Sequence, residues 1–145
     1  MKVSTKGRYG LRIMMELALQ HGTGPVLVSS IAEHQALPGK YIHVLVGGLK
    51  AAGLVRAVRG PNGGLELGRE PSAITPLDVV TALEGRIAMD PVPDGTPCEG
   101  GESSVARDVW ADLAKAMEAS LARHTLAELA ERQRIRSRGA HSYSI

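Results

Sequence analysis

The chain has 145 residues, a hydrophobic content of 43% and no phenylalanine, which is enough for one folded domain with a mostly aliphatic core. No apolar run approaches the length of a membrane span, and no apolar signal region follows the first residues, so we expect a cytoplasmic protein with no membrane partner. A single cysteine, Cys98, excludes an internal disulfide and fits a reducing compartment.

The charge is unevenly distributed along the chain. Residues 1–60 contain eight Lys/Arg and two acids, whereas the remainder contains nine Lys/Arg and thirteen acids. The two parts therefore carry about +6 and −4, although the whole chain is only +2. This asymmetry predicts a basic face that meets a polyanion, and chance segregation of solvated charge is the alternative.

The first part of the chain predicts three helices. Apolar residues at helical spacing predict the first over 4–22 and the third over 40–52, each with a glycine at its end. A short second helix begins within 29–33, where Ser30 and Glu33 have capping-box spacing. The Leu-Pro-Gly that follows interrupts it. The side chains expected to face the core from the third helix are Ile42, Leu45, Val46 and Leu49.

The segment LVRAVRGPNGGLELG, residues 54–68, predicts a β-hairpin with a slightly long loop. Apolar and polar residues alternate on both sides of Gly60-Pro61-Asn62-Gly63-Gly64, where proline presets one turn dihedral and Asn-Gly tolerates positive φ. A solvated hairpin without further function is the simplest interpretation. The surrounding elements must therefore decide what the hairpin does.

The second part of the chain predicts further helices. Thr75 caps a fourth helix that has Pro76 at its first position and ends near Gly85. We expect a flexible loop over 86–103 and a long helix over 104–124 with a short helix after it to residue 132. We expect a disordered, basic tail over 133–145. The apolar stripe of the long helix, expected to form a homodimer, comprises Val105, Val109, Leu113, Met117 and Leu121.

Helix, short strand, helix, turn, helix and hairpin is the order of a winged helix-turn-helix. The predicted fold class is therefore mainly α with a small β-hairpin wing, formed by residues 1–85, followed by a long C-terminal dimerisation helix. In such a domain the third helix enters the DNA major groove. The glycines of the hairpin would let its backbone approach phosphate, and its arginines would reach phosphate or a narrow minor groove.

Three segments, STKGRYGLRIMMELA, AGLVRAVRGPNGGLELGREPSAITPLDVVTALEG and VWADLAKAMEASLARHTLAEL, resemble the Rrf-two family of bacterial winged-helix transcription regulators. The resemblance covers roughly residues 1–132. It implies homodimers, usually repressors, whose long C-terminal helices cross and which read palindromic operators in double-stranded DNA. It also implies that the helix opening at 38–40 is the recognition helix.

Candidate DNA-binding residues lie in both the helices and the hairpin. On the resemblance, Lys40, Tyr41 and His43 face the groove and Lys50 points toward the backbone. Tyr41 can equally be a core residue, and His43 has no second His or Cys four residues on with which to bind a metal. The full set is Lys2, Lys6, Arg8, Ser29, Ser30, Pro38, Lys40, Tyr41, His43, Lys50, Arg56, Arg59, Gly60, Asn62 and Gly63.

Cys98 is the candidate sensor. Cluster-binding members of the family carry three cysteines in this loop, and on the resemblance Cys98 matches the middle one, whereas Val92 and Ser104 occupy the other two positions. The position of a ligand histidine holds Arg107, and a position where some relatives use an acid holds Arg8. Iron–sulfur clusters are held by several thiolates, so we expect no cofactor. An iron–sulfur cluster, a redox-active thiol and an inert cysteine stay open as alternatives.

Two other classes of function are weaker. A winged-helix protein-interaction module would have an acidic or apolar wing face, whereas this wing is basic. The sequence shows no Gly-rich phosphate loop after a strand, no metal-ligand cluster and no Ser/His/Asp set at a useful spacing, so we do not expect an enzyme.

Overall fold

The computed structural model describes residues 4–89 and 104–142, in which helices pack around a core that also receives one face of a two-stranded hairpin. The predicted fold class, mainly α with a small hairpin wing, is confirmed. In chain order the elements are α1 (Thr5–Leu19), α2 (Val28–Gln35), α3 (Gly39–Ala51), β1 (Val55–Val58), β2 (Gly64–Leu67), a 3-10 turn (Pro71–Ala73), α4 (Pro76–Glu84), α5 (Ser104–Ala122) and α6 (Leu126–Ser142).

Helix α1 is central to the core and packs against α4 and α6. Ile13, Met14 and Leu17 on its inner face are buried at the helical spacing that the sequence shows. Gly10 allows α4 to come close, because a Cβ at this position would collide with Leu83. The helix ends at Leu19, three residues earlier than predicted.

Helices α2 and α3 form the helix-turn-helix. α2 begins at Val28 with Leu27 at its N-cap and no side-chain cap, so the predicted capping box is wrong: Ser30 is already the third helical residue. Ala36 ends α2 in the left-handed region, with φ 52°, and Pro38 becomes the N-cap of α3. The four side chains predicted to face the core from α3 are all buried: Ile42, Leu45, Val46 and Leu49.

The hairpin is antiparallel and pairs Val55 with Leu67 at its base and Val58 with Gly64 near its tip. Val26 forms an isolated antiparallel β-bridge with the hairpin, since its N–H and C=O both bond to Leu65 at 2.8 Å. These bonds connect the segment before α2 to the wing. The short strand expected between the first two helices is therefore present as an extended residue beside β2.

The turn of the hairpin differs from the prediction in which residue adopts a positive φ. Gly60 has φ 112°, whereas Asn62 and Gly63 do not adopt positive φ. The N–H of Gly63 bonds to the carbonyl of Gly60 at 3.0 Å, and a Cβ on Gly63 would collide with the carbonyl of Val58. Gly63 is therefore needed for tight backbone packing within the turn.

Helix α4 begins as the sequence predicts. The Thr75 side chain accepts from the N–H of Asp78 at 3.3 Å, and the Asp78 carboxylate accepts from the N–H of Thr75 at 2.8 Å. Pro76 occupies the first helical position, where its missing N–H is not needed. The helix ends at Glu84, and Gly85 follows with φ 81°.

The C-terminal helices differ from the prediction in length. α5 ends at Ala122, close to the predicted boundary, but α6 continues to Ser142. The predicted disorder of the tail is therefore wrong for residues 133–142. Leu126 and Ala130 are buried in the core, and this anchors the first two turns of α6. No helix in the described ranges is both long and apolar enough to span a membrane.

Candidate nucleic-acid interface

The outer face of α3 is exposed and basic. Five residues of α3 are solvent-exposed, and each lies three or four positions from another of them, which places them on one side of the helix: Lys40, His43, Val44, Gly47 and Lys50. The opposite side is buried in the core. Helix α3 therefore presents a single surface with a lysine near each end, the form that a helix needs to enter a major groove.

The two adjacent glycines of α3 have different surroundings. A Cβ on Gly48 would lie 3.0 Å from Leu83, so Gly48 permits the close contact with α4. A Cβ on Gly47 would meet nothing within 4 Å. Gly47 thus leaves the helix backbone uncovered at the centre of the exposed face. Gly47 is not among the site residues predicted from the sequence, because two adjacent glycines do not show which of them faces solvent.

The start of α1 lies beside the start of α3. The ring of Tyr41 packs edge-on against Tyr9, with centroids 5.9 Å apart and planes at 89°, and its hydroxyl lies 3.5 Å from the hydroxyl of Thr5. Tyr41 is half-buried, so its ring packs against the core while its hydroxyl lies at the edge. Lys6 and Arg8 are exposed on the same end of α1, and Lys2 lies outside the described residues.

The start of α2 carries the predicted serines. Ser29 is exposed and Ser30 is half-buried, and the N-cap residue, Leu27, offers no side-chain acceptor. The first amides of this helix therefore have no side-chain cap. A helix N-terminus of this kind suits an anionic oxygen, because the amide groups and the helix dipole both favour negative charge.

The two wing arginines differ in their bonding. Arg56 forms an ion pair across the hairpin, with its Nε and Nη2 each 2.6 Å from the Glu66 carboxylate. Arg59, at the tip, is exposed and makes no side-chain hydrogen bond or ion pair within the described part of the chain. Gly60 and Asn62 are exposed beside it, whereas Gly63 is buried. Arg59 is thus the wing cation that is free to bind a phosphate.

A buried carboxylate connects α1 to α2. Glu16 is only 7% exposed, and its two oxygens accept hydrogen bonds from His34 Nδ1 at 2.6 Å and from Gln35 Nε2 at 2.9 Å. Arg12 donates in turn to the Gln35 side chain at 2.8 Å. The hydrogen bond to Glu16 and its negative charge raise the pKa of His34 above the usual 6.5. These contacts were not predicted from the sequence; they fix the orientation of the first helix of the helix-turn-helix.

Helix α5 has an uncovered apolar face. No residue from 105 to 122 is buried, and Val105, Val109 and Trp110 are 69%, 58% and 44% exposed. Leu113, Met117 and Leu121 are half-buried. Apolar side chains repeated along one long helix usually mark a contact surface.

Metal ligands do not gather in the described ranges, where no three His, Cys, Asp or Glu side chains lie close enough to hold an ion. Cys98 lies outside these ranges. The sensor prediction therefore stays a prediction.

A family model matches most of the chain. The model for Rrf2, described as an iron-dependent transcriptional regulator, matches residues 3–132. The chain belongs to the Rrf2 family. It is therefore a transcriptional regulator with the winged-helix fold, and DNA-binding regulation follows as its general role. The match ends at residue 132, ten residues before the end of α6.

Individual relatives support the assignment over most of the chain. The regulator CymR of Bacillus subtilis is 44% identical over 131 residues, which is 90% of each protein. The regulator IscR of Yersinia enterocolitica is 36% identical over 135 residues, covering 93% of this chain and 82% of the relative.

Solved structures of Rrf2 regulators share the fold. The structure of B. subtilis CymR, described as the global cysteine regulator, superposes with a TM-score of 0.78 at 43% identity and covers 90% of this chain and 97% of that one. The structure of T. potens IscR gives a TM-score of 0.76 at 37% identity and covers 92% and 88%. The resemblance stated from the sequence is confirmed.

Proposed function

We propose that this Rrf2 regulator is a homodimer that represses transcription by binding a palindromic operator with α3 and the wing. The observation that carries the proposal is the single exposed face of α3, with Lys40 and Lys50 near its ends. The free Arg59 of the wing adds a third cation. Winged helix-turn-helix proteins place these two elements in the major groove and along the adjacent backbone or minor groove.

Each group has a distinct role in this proposal. Lys40 and His43 contact base edges near the start of α3, because this end of a recognition helix enters the groove. Lys50, Lys6 and Arg8 neutralise phosphates, and these contacts position the protein without reading sequence. The uncapped start of α2 receives a further phosphate.

The homodimer rests on α5. Its exposed stripe would be covered by the same helix of a second chain, as a two-fold axis requires of a self-complementary surface. Two α3 helices then lie on one side of the dimer, and each reads one half of a palindrome. Val105 and Val109 of the stripe and the neighbouring Trp110 favour this occupant, since exposed apolar side chains gain most from contact with another apolar surface.

An iron–sulfur cluster does not fit the residues of this chain. Such clusters are held mainly by several cysteine thiolates, and each chain supplies one cysteine. We therefore propose a regulator that binds DNA without a resident cluster. Cys98 then acts as a redox-active thiol or as an ordinary cysteine, two alternatives that behave differently toward oxidants.

Selection of bound genomic fragments tests the proposal. We expect enrichment of one palindromic sequence, with an affinity that falls steeply with salt. A log–log slope of about −5 or steeper corresponds to half a dozen or more neutralised phosphates per dimer.

A wing variant makes the test more specific. Arg59→Gln is expected to weaken binding to the selected operator by roughly 1–3 kcal/mol. Lys115→Gln is the matched control, since Lys115 is an exposed cation on α5. Failure to enrich any DNA sequence would favour a winged-helix protein-interaction module instead.

A further inference from the structure

The last turns of α6 form a basic extension of the fold. After Ala130, which is buried, the helix leaves the core, and the residues from Glu131 to Gln133 are exposed. Four arginines occur within residues 132–138, and no Asp or Glu follows Glu131 in the chain. This segment begins where the family match ends. The family model includes Arg132 but does not extend to Arg134, Arg136 or Arg138.

Three of these arginines are available to a partner. Arg132, Arg136 and Arg138 are exposed and make no side-chain hydrogen bond or ion pair with any residue in 4–89 or 104–142. Arg134 is different, because its guanidinium donates to the carbonyl of Leu19 at 3.3 Å and lies 3.5 Å from the carboxylate of Glu131. Arg134 therefore fixes the extension against the end of α1.

The positive charges of the arginines repel one another along α6. Arg132 and Arg136, and likewise Arg134 and Arg138, are separated by four residues, a spacing that brings like charges together on a helix surface and destabilises it. Gly139 also has a low helix propensity. Arginine itself is a good helix former, but the like charges repel one another at this spacing, and neutralisation by a polyanion removes the repulsion. The four cations are all arginine and not lysine, and the planar guanidinium of arginine can bind two phosphate oxygens at once.

The extension and the α3 face lie near opposite ends of α1. Arg134 contacts the C-terminal end of α1, whereas Thr5, near Tyr41 of α3, lies at the other end of this 15-residue helix, roughly 20 Å away. Leu17 and His21, near the C-terminal end, line one cavity together with residues of the hairpin. The start of the extension therefore lies at the end of α1 that neighbours the hairpin, and not at the end that neighbours the start of α3.

We infer that the exposed arginines of α6 bind the phosphate backbone of double-stranded DNA flanking the operator, without reading its sequence. This inference rests on the proposed function, since operator binding brings the flanking duplex to the wing side. The DNA backbone is a polyanion with closely spaced phosphates. It therefore suits the three exposed arginines, whose guanidinium groups lie within seven residues. The contact would add affinity and salt dependence but no base preference.

The test uses full-length protein and two operator fragments, one trimmed to the selected site and one with long flanks. Arg136→Gln/Arg138→Gln removes two charges per chain. Lys115→Gln/Arg123→Gln is the matched control, because it removes two exposed cations, one on α5 and one directly after it. Circular dichroism and sedimentation confirm that helix content and assembly are unchanged. Binding is measured by fluorescence anisotropy over a range of salt concentrations.

We expect the α6 variant to bind the long fragment about tenfold or more weakly at low salt. Its salt slope should fall by up to about 3.6, because the two substitutions remove four guanidinium groups from the dimer. The trimmed fragment should bind both variants equally. The inference is overturned if the α6 variant matches the control on the long fragment, if it weakens binding to both fragments equally, or if wild type binds polyglutamate in preference to non-operator DNA. Absence of operator binding by wild type would instead contradict the proposed function.

Discussion

The imidazole Nδ1 of His34 donates a 2.6 Å hydrogen bond to the carboxylate of Glu16, which is buried at the junction of α1 and α2. The bond joins the helix that organises the core to the helix that supports α3. A change in this pair would alter the orientation of the helix-turn-helix without changing a predicted DNA contact.

We predict that this pair makes stability depend on pH. The raised pKa of His34 means that the folded state favours the protonated imidazole, so the stabilisation is fully present below the unfolded pKa of about 6.5 and is lost as the pH rises through the folded pKa. Denaturant unfolding at about pH 5 to 9 should show a difference between wild type and His34→Gln that shrinks as pH rises.

A second variant assigns the effect to Glu16. In Glu16→Gln the pKa of His34, followed by nuclear magnetic resonance, should fall toward the usual value, because the largest cause of its shift is removed. Glu33 also raises this pKa by its charge, so a small upward shift remains. A His34 pKa unchanged by Glu16→Gln would show that the hydrogen bond does not form in solution.

Gly47→Ala should increase stability while weakening DNA binding. Alanine favours the helix over glycine by about 0.5–1 kcal/mol, and the added Cβ meets no atom within 4 Å. The same methyl group would stand between the α3 backbone and the DNA. Thermal unfolding and operator titration measure the two effects separately.

Gly48→Ala provides the contrast, because its Cβ would press on Leu83 at 3.0 Å and should not stabilise the fold. If Gly47→Ala binds the operator as tightly as wild type, the centre of α3 does not approach DNA closely.

Leu113→Glu or Met117→Glu should dissociate the homodimer, because a carboxylate buried in the apolar stripe of α5 would have no partner. Sedimentation should show monomers, and operator affinity should fall with the loss of the second half-site. Lys115→Glu makes a comparable change on the opposite side of the helix and should leave the dimer intact. A monomeric wild type, or a dimeric Leu113→Glu, would remove the basis for the proposed assembly.

Cys98→Ser separates the alternatives that remain for the sensor. Under reducing conditions it should keep operator affinity within about 0.5 kcal/mol of wild type, the usual scale of a surface substitution. With peroxide, a redox-active thiol requires that wild type change affinity while Cys98→Ser does not, and an inert cysteine predicts no difference. A visible absorption band in anaerobically purified wild type, lost in Cys98→Ser, would overturn the cluster-free proposal.

The sequence predicted those parts of the fold in which side-chain periodicity and turn chemistry agree. The buried face of α3 follows from apolar residues at helical spacing, and the start of α4 follows from Thr75, Pro76 and Asp78. The hairpin follows from alternation around Gly-Pro-Asn-Gly-Gly. In each case a local rule and the tertiary structure favour the same conformation.

Other features depend on contacts that sequence spacing does not reveal. The start of α2 was misplaced, because Ser30 and Glu33 have capping-box spacing although Leu27 occupies the N-cap. Glu16 occupies a core-facing position, and only the fold shows that His34 and Gln35 satisfy its oxygens. The basic end of α6 has the composition of a disordered tail; its first turns are anchored by burial and by Arg134 at the end of α1.

The ratio of operator to non-operator affinity, measured for wild type and for Lys40→Gln/His43→Gln, tests most directly whether α3 reads DNA. Both residues lie on the exposed face of the helix. Removing their hydrogen bonds to base edges should reduce this ratio by roughly tenfold or more while leaving non-operator binding much less affected. Lys115→Gln should keep the wild-type ratio. An unchanged ratio in Lys40→Gln/His43→Gln would contradict the assignment of α3 as the recognition helix.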